Sequence, residues 1–199
     1  MSIQKQPILF IIFNRPYTTK LVFEKIRKLK PSRLYIAADG PRASVVEDAK
    51  KCKLAREITE NIDWTCKVKR LYRKTNLGCG KAVGGAIDWF FENEEKGIIL
   101  EDDCLIDLSF YDFVGNMLEK YKNDHRIMNI SGDNFMTANM QDINKYYLSK
   151  YVHIWGWGTW KRAWKEYDFN MKSWKNKSLL WKYKSIDGNF WDKLYWISK

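Results

Sequence analysis

A continuous run of apolar residues near the start of the chain constrains the fold more than any other feature. Ile8 to Phe13 contains no polar residue and does not alternate, which is the pattern of a strand buried on both faces of a parallel sheet. The run ends at Asn14-Arg15-Pro16, and apolar residues then recur at Val22, Ile26 and Leu29, the spacing of one helix face. This stretch therefore predicts a strand followed by a helix.

The same unit repeats along the chain. Further strands are expected over Leu34 to Ala38, Val68 to Tyr72, Ile98 to Leu100 and Ile127 to Ile130. Helices are expected between them, with apolar faces at Leu54, Ile58 and Ile62, then at Val83, Ile87, Phe90 and Phe91, and from about Ser109 to Lys122. The alternation predicts an α/β protein with an open, mainly parallel sheet and helices on both faces. Ligands of such sheets bind at the carboxyl ends of the strands.

The composition changes near residue 145. Residues 145–199 hold 12 Lys and Arg against 4 Asp and Glu, together with eight of the ten Trp. We therefore expect an α/β core over residues 1–144 and a basic, Trp-rich segment of the same domain over residues 145–199. Because the positive charge is concentrated there, this segment could also contact an anionic membrane surface, although a solvated face is the simpler alternative.

Several classes of protein are disfavoured. The four Cys are widely spaced without a C-x-x-C pair and the two His are far apart, so neither a zinc site nor a disulfide scaffold is expected. No apolar run approaches the ~20 residues of a membrane-spanning helix, and we find no secretory signal pattern. We therefore expect a cytoplasmic protein.

The sharpest chemical feature is Glu101-Asp102-Asp103, which follows a buried strand. Three adjacent carboxylates repel one another unless a cation or a set of donors is near, and Mg²⁺ or Mn²⁺ suits such oxygen ligands. The alternative is a solvated acidic turn. Because the segment lies at the end of a strand, a metal site remains one of the two predictions for it.

A glycine-rich segment, Gly78 to Gly84, follows the third expected strand. Its glycine spacing differs from a dinucleotide fingerprint, and Ala82 stands where a P-loop needs Ser or Thr. Lys81 lies at the start of the expected helix, where it could bind an anion or could simply be solvated.

A second glycine-interleaved run, Trp155-Gly156-Trp157-Gly158-Thr159-Trp160, brings several indoles together. Indole faces could form a platform for a sugar or a base, or they could pack in the core. Indoles on a basic surface also suit single-stranded nucleic acid, although no nucleic-acid module is recognised here.

The order of short motifs resembles the GT-A nucleotide-sugar glycosyltransferases, especially bacterial proteins similar to N-acetylglucosaminyltransferase I. The resemblance covers about Pro7 to Trp164, and its motifs are Phe13-Asn14-Arg15-Pro16, Ala38-Asp39-Gly40-Pro41, Asn76-Leu77-Gly78, Glu101-Asp102-Asp103, Ile130-Ser131-Gly132-Asp133-Asn134 and Trp155 to Trp160. It implies the Rossmann-like fold of nucleotide-diphospho-sugar transferases.

The resemblance also implies roles for individual residues. Asp103 would ligate Mn²⁺ or Mg²⁺, with Glu101 beside it, in the position of the family's D-x-D-like motif. Residues implied to bind the nucleotide are Asn14, Arg15, Asp39, Gly40, Asn76, Lys81 and Asp102. Residues implied to border the donor sugar or the acceptor are Asp133, Asn134, Trp155 and Trp157.

The implied activity is inverting transfer of a sugar from a nucleoside diphosphate, with UDP expected, to a glycan or lipid-linked glycan. The family's base lies on a Trp-Asp stretch, matched locally by Trp191-Asp192. Because these proteins usually continue further, the sequence leaves two alternatives for the base: it is Asp192, or it lies beyond Lys199 in a longer chain. A sugar-1-phosphate nucleotidyltransferase and a non-enzymatic nucleic-acid- or glycan-binding module are the alternatives, although nucleic acid is not the expected partner.

Overall fold

A computed structural model of the chain describes residues 5–135 and 146–197. The chain divides into two compact units, Met1–Lys165 and Glu166–Lys199. The first unit holds the sheet and both clefts described below, and the second consists of short helices. Each unit is described separately.

The first unit is built on a six-stranded sheet in the order β3-β2-β1-β4-β6-β5. The strands are β1 (Ile8–Ile12), β2 (Arg33–Ala38), β3 (Lys67–Tyr72), β4 (Lys96–Glu101), β5 (Ile130–Ser131) and β6 (Trp157–Trp160). The first four pair in parallel, whereas β6 is antiparallel to both of its neighbours. The α/β class is therefore confirmed, and the sheet is mixed because β6 enters in the opposite direction.

Helices cover both faces of this sheet. They are α1 (Pro16–Leu29), α2 (Asp48–Ile58), α3 (Cys79–Asn93), α4 (Ser109–Lys120) and the single turn α5 (Lys161–Trp164). Ile8, Phe10 and Ile12 share one core with side chains of α1, α2 and α4. Leu9 and Ile11 share the opposite core with α3. Both faces of β1 are thus buried, as its unbroken apolar run predicts.

Two expectations about the elements are wrong in detail. Leu54 is exposed, and α2 instead buries Cys52 and Ala55. The expected strand over Ile127 to Ile130 is reduced to Ile130–Ser131. The reason is that side chains take the preceding carbonyl groups: Arg162 donates to Ile127 O at 3.0 Å and Thr159 Oγ1 donates to Met128 O at 2.6 Å.

The second unit contains α6 (Lys172–Lys175), α7 (Leu179–Ser185) and α8 (Phe190–Ile197). Ser178 caps α7 by accepting a hydrogen bond from the Trp181 amide at 3.2 Å. None of its described side chains, which cover residues 166–193, is buried. Over the described parts of the whole chain, no helix is both long and apolar enough to cross a membrane.

Candidate functional site

The loops that follow β1 to β4 meet at one edge of the sheet, because the carboxyl ends of parallel strands lie together. A cleft of about 280 Å³ opens there and is called the smaller cleft. Its lining includes Phe13, Arg15, Asp39, Arg42, Arg73, Asn76, Gly78, Cys79, Ala82, Glu101 and Asp102. Four segments far apart in sequence thus contribute polar groups to one concave site, which is where open α/β sheets bind ligands.

Arg15 connects the end of β1 to the acidic segment after β4. Its Nη2 lies 3.0 Å from Asp102 Oδ1, and its Nη1 donates to Asp103 Oδ2. The Asp102 side chain is only 1% exposed, and its Oδ2 accepts a hydrogen bond from the Phe13 amide at 3.1 Å. The contact at Asp102 Oδ1 is an ion pair only, since no hydrogen bond reaches this oxygen. A single guanidinium therefore compensates two carboxylates.

The acidic segment is electrostatically crowded. Burial raises the pKa of Asp102, and Arg15 and the Phe13 amide only partly offset this effect. The pKa of Glu101 is raised first by burial and then by the charges of Asp103 and Asp102. Asp103 differs because its side chain is 48% exposed. These three carboxylates would hold a further cation more readily than another anion.

Asp39 joins the end of β2 to the loop before α3. Its carboxylate accepts from the Gly40 amide and Asn76 Nδ2, each at 2.9 Å, and from the Leu77 amide at 3.1 Å. Gly40 passes so close to this loop that a Cβ on it would lie 2.4 Å from the Thr75 carbonyl carbon. Asp39 therefore lines the smaller cleft, whereas Gly40 lies outside its lining and allows the backbone at Thr75 to approach.

Asn14 lies in a second polar cluster at the same edge. Its Nδ2 donates to Asp48 Oδ1 at 2.8 Å, and Arg42 Nε donates to Asp48 Oδ2 at 2.6 Å. The Arg42 guanidinium holds the pKa of the buried Asp48 carboxyl well below its usual range. This cluster fixes the loop between β2 and α2 against the end of β1.

Sequence reasoning did not identify Arg42, Asp48 or Arg73 as site residues. The available signal was position alone, because Arg73 directly follows the last residue of β3 and Arg42 follows Gly40-Pro41 after β2. Asp48 carries no such signal, since its contact with Arg42 depends on how the intervening loop folds.

The start of α3 forms another part of the wall. Gly78 adopts φ of 79°, and Cys79 and Ala82 follow it along the lining. Lys81 is exposed on the same first turn, and the lining here comes from its neighbours. The structure thus brings Arg15, Asp39, Asn76 and Asp102 to the cleft and leaves Lys81 in solvent.

A larger cleft of about 870 Å³ lies beside the acidic segment. Asp103, Asp133, Asn134 and Trp155 are among its lining residues, and Trp155 is 64% exposed. Trp157 is placed differently: it is 8% exposed and packs in the core under α3. The indoles of the glycine-interleaved run therefore occupy different environments: Trp155 lines the larger cleft, and Trp157 packs in the core.

Asp192 belongs to the second compact unit. Its amide donates to Asn189 Oδ1 at 3.0 Å, and its Oδ2 accepts from the Asn189 amide at 3.2 Å. This reciprocal pair is the usual arrangement of a helix start, here that of α8. The contacts of Asp192 in the structure are thus those of a capping residue.

Asp103 and Glu101 are the carboxylates that would hold Mn²⁺ or Mg²⁺ if the role implied by the resemblance applies. The Asp103 side chain is half-exposed, and Glu101 lines the smaller cleft. Such ions commonly take one or two protein carboxylates and complete their coordination with water and substrate phosphates. Among residues 5–135 and 146–197, no group of three or more His, Cys, Asp or Glu side chains is arranged to hold a metal ion.

Comparison with known sequences adds no assignment. No protein-family model matches the chain, and a search of curated proteins gives no significant match.

Proposed function

We propose that this protein is a metal-dependent glycosyltransferase that moves a sugar from a nucleoside diphosphate, UDP in the first instance, to a glycan or lipid-linked glycan. The observation that carries the proposal is the position of the acidic segment. Glu101 and Asp102 line the smaller cleft, whereas Asp103 lines the larger one. A donor with its nucleotide in the smaller cleft would therefore present its sugar to the larger cleft beside Asp103.

The charges of the smaller cleft support a diphosphate ligand. Arg15, Arg42 and Arg73 all line it, and guanidinium groups are well suited to phosphate oxygens because they donate in a planar fork. Arg42 is held by Asp48, so Arg15 and Arg73 are the more available cations. The nucleotide would lie along the loop that Asp39 and Asn76 hold in place.

The larger cleft supports a sugar acceptor. Trp155 exposes an indole face there, and Asp133 and Asn134 add polar groups. Apolar ring faces with a few polar groups are typical of sites that orient small polar ligands. We therefore assign donor sugar and acceptor to this cleft.

In the proposed reaction, the bond between the sugar C1 and the diphosphate oxygen breaks as the acceptor oxygen bonds to C1. A divalent ion held by Asp103 and Glu101 would offset the charge that develops on the diphosphate. Arg15 would bind the same leaving group. The acceptor proton would pass to a carboxylate base; the resemblance implies Asp192, whose contacts in the structure are those of the α8 cap.

Calorimetry tests the proposal. UDP, GDP and UMP are titrated into the protein with Mn²⁺ and with EDTA, using wild type and Asp103→Asn. Asp107→Asn is the matched control, because Asp107 lines the same larger cleft but bonds to Ser109 instead of facing Arg15. We expect metal-dependent binding of one nucleoside diphosphate that is lost in Asp103→Asn and kept in the control. Metal-independent oligonucleotide or glycan binding without diphosphate binding would overturn the proposal.

We also propose that the protein acts in the cytoplasm with the second unit at an anionic membrane surface. This unit exposes Leu179, Leu180, Trp181, Phe190 and Trp191. Lys177 lies 5.0 Å from the Trp181 ring centre, and lysines beside indoles are typical of proteins at bilayer interfaces. Co-sedimentation with anionic but not neutral vesicles is expected, with less binding for Trp191→Ala. Equal binding to both vesicle types would contradict the idea.

A further inference from the structure

We propose that Arg15 is an internal counter-ion that keeps divalent metal off the acidic segment until a diphosphate binds, so that metal and nucleotide bind as a pair. This inference rests on the proposed function and specifies how its site is loaded. The group that sets the order is the guanidinium bridging Asp102 and Asp103.

Arg15 already occupies carboxylate oxygens of the acidic segment. Arg15 Nη1 donates to Asp103 Oδ2, the more accessible of the two carboxylates it contacts, and Nη2 lies 3.0 Å from the buried Asp102 Oδ1. A divalent ion that used these oxygens would meet a guanidinium already in place. Because like charges at such distances repel strongly where water is partly excluded, the two cations compete for the same carboxylates.

The Arg15 side chain could change its partners. The Arg15 side chain is 49% exposed and lines the smaller cleft, so its guanidinium can turn to an anion there without unpacking the core. Asp102 is buried and held by the Phe13 amide. Of the three arginines in the cleft lining, Arg15 is the one that pairs with the acidic segment, because Arg42 pairs with Asp48 and Arg73 donates to the Ala82 carbonyl at 3.2 Å. Movement of Arg15 is therefore what would uncover these carboxylates.

A bound diphosphate would replace the carboxylates as the partner of Arg15. A diphosphate in the smaller cleft offers Arg15 two adjacent phosphate groups, to whose oxygens a guanidinium can donate two parallel hydrogen bonds. Once Arg15 turns to the diphosphate, the Asp103 carboxylate loses its guanidinium partner and attracts a divalent ion. Each ligand then raises the affinity of the other by the same factor, as linkage requires. Free metal alone would bind weakly, and so would the diphosphate alone.

The test measures Mn²⁺ binding without activity. Free Mn²⁺ is followed by electron paramagnetic resonance while it is titrated into wild type, Arg15→Gln and Arg15→Lys, each with and without UDP. Arg126→Gln is the matched control, because it removes one positive charge from the first unit at a guanidinium that pairs with Asp124 instead of the acidic segment. Without UDP, Arg15→Gln is expected to bind Mn²⁺ about tenfold more tightly than wild type, which is ~1.4 kcal/mol.

Arg15→Lys keeps the charge and is expected to stay near wild type, as is Arg126→Gln. UDP should raise Mn²⁺ affinity in wild type by a much larger factor than in Arg15→Gln. Equal Mn²⁺ affinity in wild type and Arg15→Gln, or no measurable binding by either, would overturn the inference. If UDP still binds wild type with metal in that case, the proposed function stands, whereas loss of all UDP binding would refute the function itself.

Discussion

The Asp102 carboxylate has two partners that substitution can separate. Asp102→Asn keeps an oxygen that can accept the hydrogen bond of the Phe13 amide. Asp102→Ala removes this acceptor at a site where the native side chain is only 1% exposed, so the amide is left buried without a partner. An orphaned buried amide costs ~1–3 kcal/mol. Arg15 contributes little to the cost, since it is half-exposed and keeps its contact with Asp103. The alanine variant should therefore lose about 2 kcal/mol of unfolding free energy, and the asparagine variant less than about 1 kcal/mol.

Urea titration gives these free energies, and the melting temperature of the alanine variant should fall by about 4–8 °C. The pH dependence has a definite sign. Because burial raises the pKa of Asp102 in the folded protein, the folded state binds a proton more tightly than the unfolded state. Wild type should then gain stability relative to Asp102→Asn as pH falls from neutral toward about 4, the pKa of an aspartate in the unfolded chain. Equal losses in the two variants, or a relative loss for wild type at low pH, would refute this reasoning.

Three further predictions concern the clefts and the base. Gly40→Ala should weaken UDP binding at least about tenfold in calorimetry, because its Cβ would lie 2.4 Å from Thr75 and displace the loop. Trp157→Ala should cost ~3–5 kcal/mol in urea titration as a core truncation, while Trp155→Ala should change stability by less than about 0.5 kcal/mol and slow transfer to the acceptor. Asp192→Asn should reduce transfer at least ~100-fold without changing UDP affinity. Unchanged UDP binding, equal stability losses for the two tryptophans, or undiminished transfer would contradict the respective predictions.

The local sequence pattern was sufficient to predict the parallel part of the sheet. The unbroken apolar run of β1 and the apolar spacing of α1 specify a buried strand and its covering helix. Parallel strands share a carboxyl edge, so the convergence of Arg15 with Asp102 also follows from the sequence. These inferences succeed because each depends on short-range periodicity and on one topological rule.

The Trp-rich run shows what local pattern does not determine. Its glycines suggested an open platform, yet Gly158 lies where a Cβ would come within 2.4 Å of Val114. The glycine therefore lets α4 approach β6, and β6 buries Trp157 by pairing with β4. Antiparallel insertion of β6 depends on contacts between residues far apart in the chain, which periodicity does not encode. The Arg42 and Asp48 pair is hidden for a different reason: the two residues are near in sequence, and their contact depends on the conformation of the loop between them.

The most direct test of the central claim is to locate the metal and the nucleotide together. In two-dimensional amide spectra, Mn²⁺ added with UDP broadens the signals of residues near the ion. The account predicts broadening at Phe13 to Arg15 and at Glu101 to Cys104, absent in Asp103→Asn, with Gly115 to Lys120 at the C-terminal end of α4 unaffected. Broadening that is spread over other acidic surface residues, or that persists in Asp103→Asn, would contradict a shared metal and diphosphate site at this edge of the sheet.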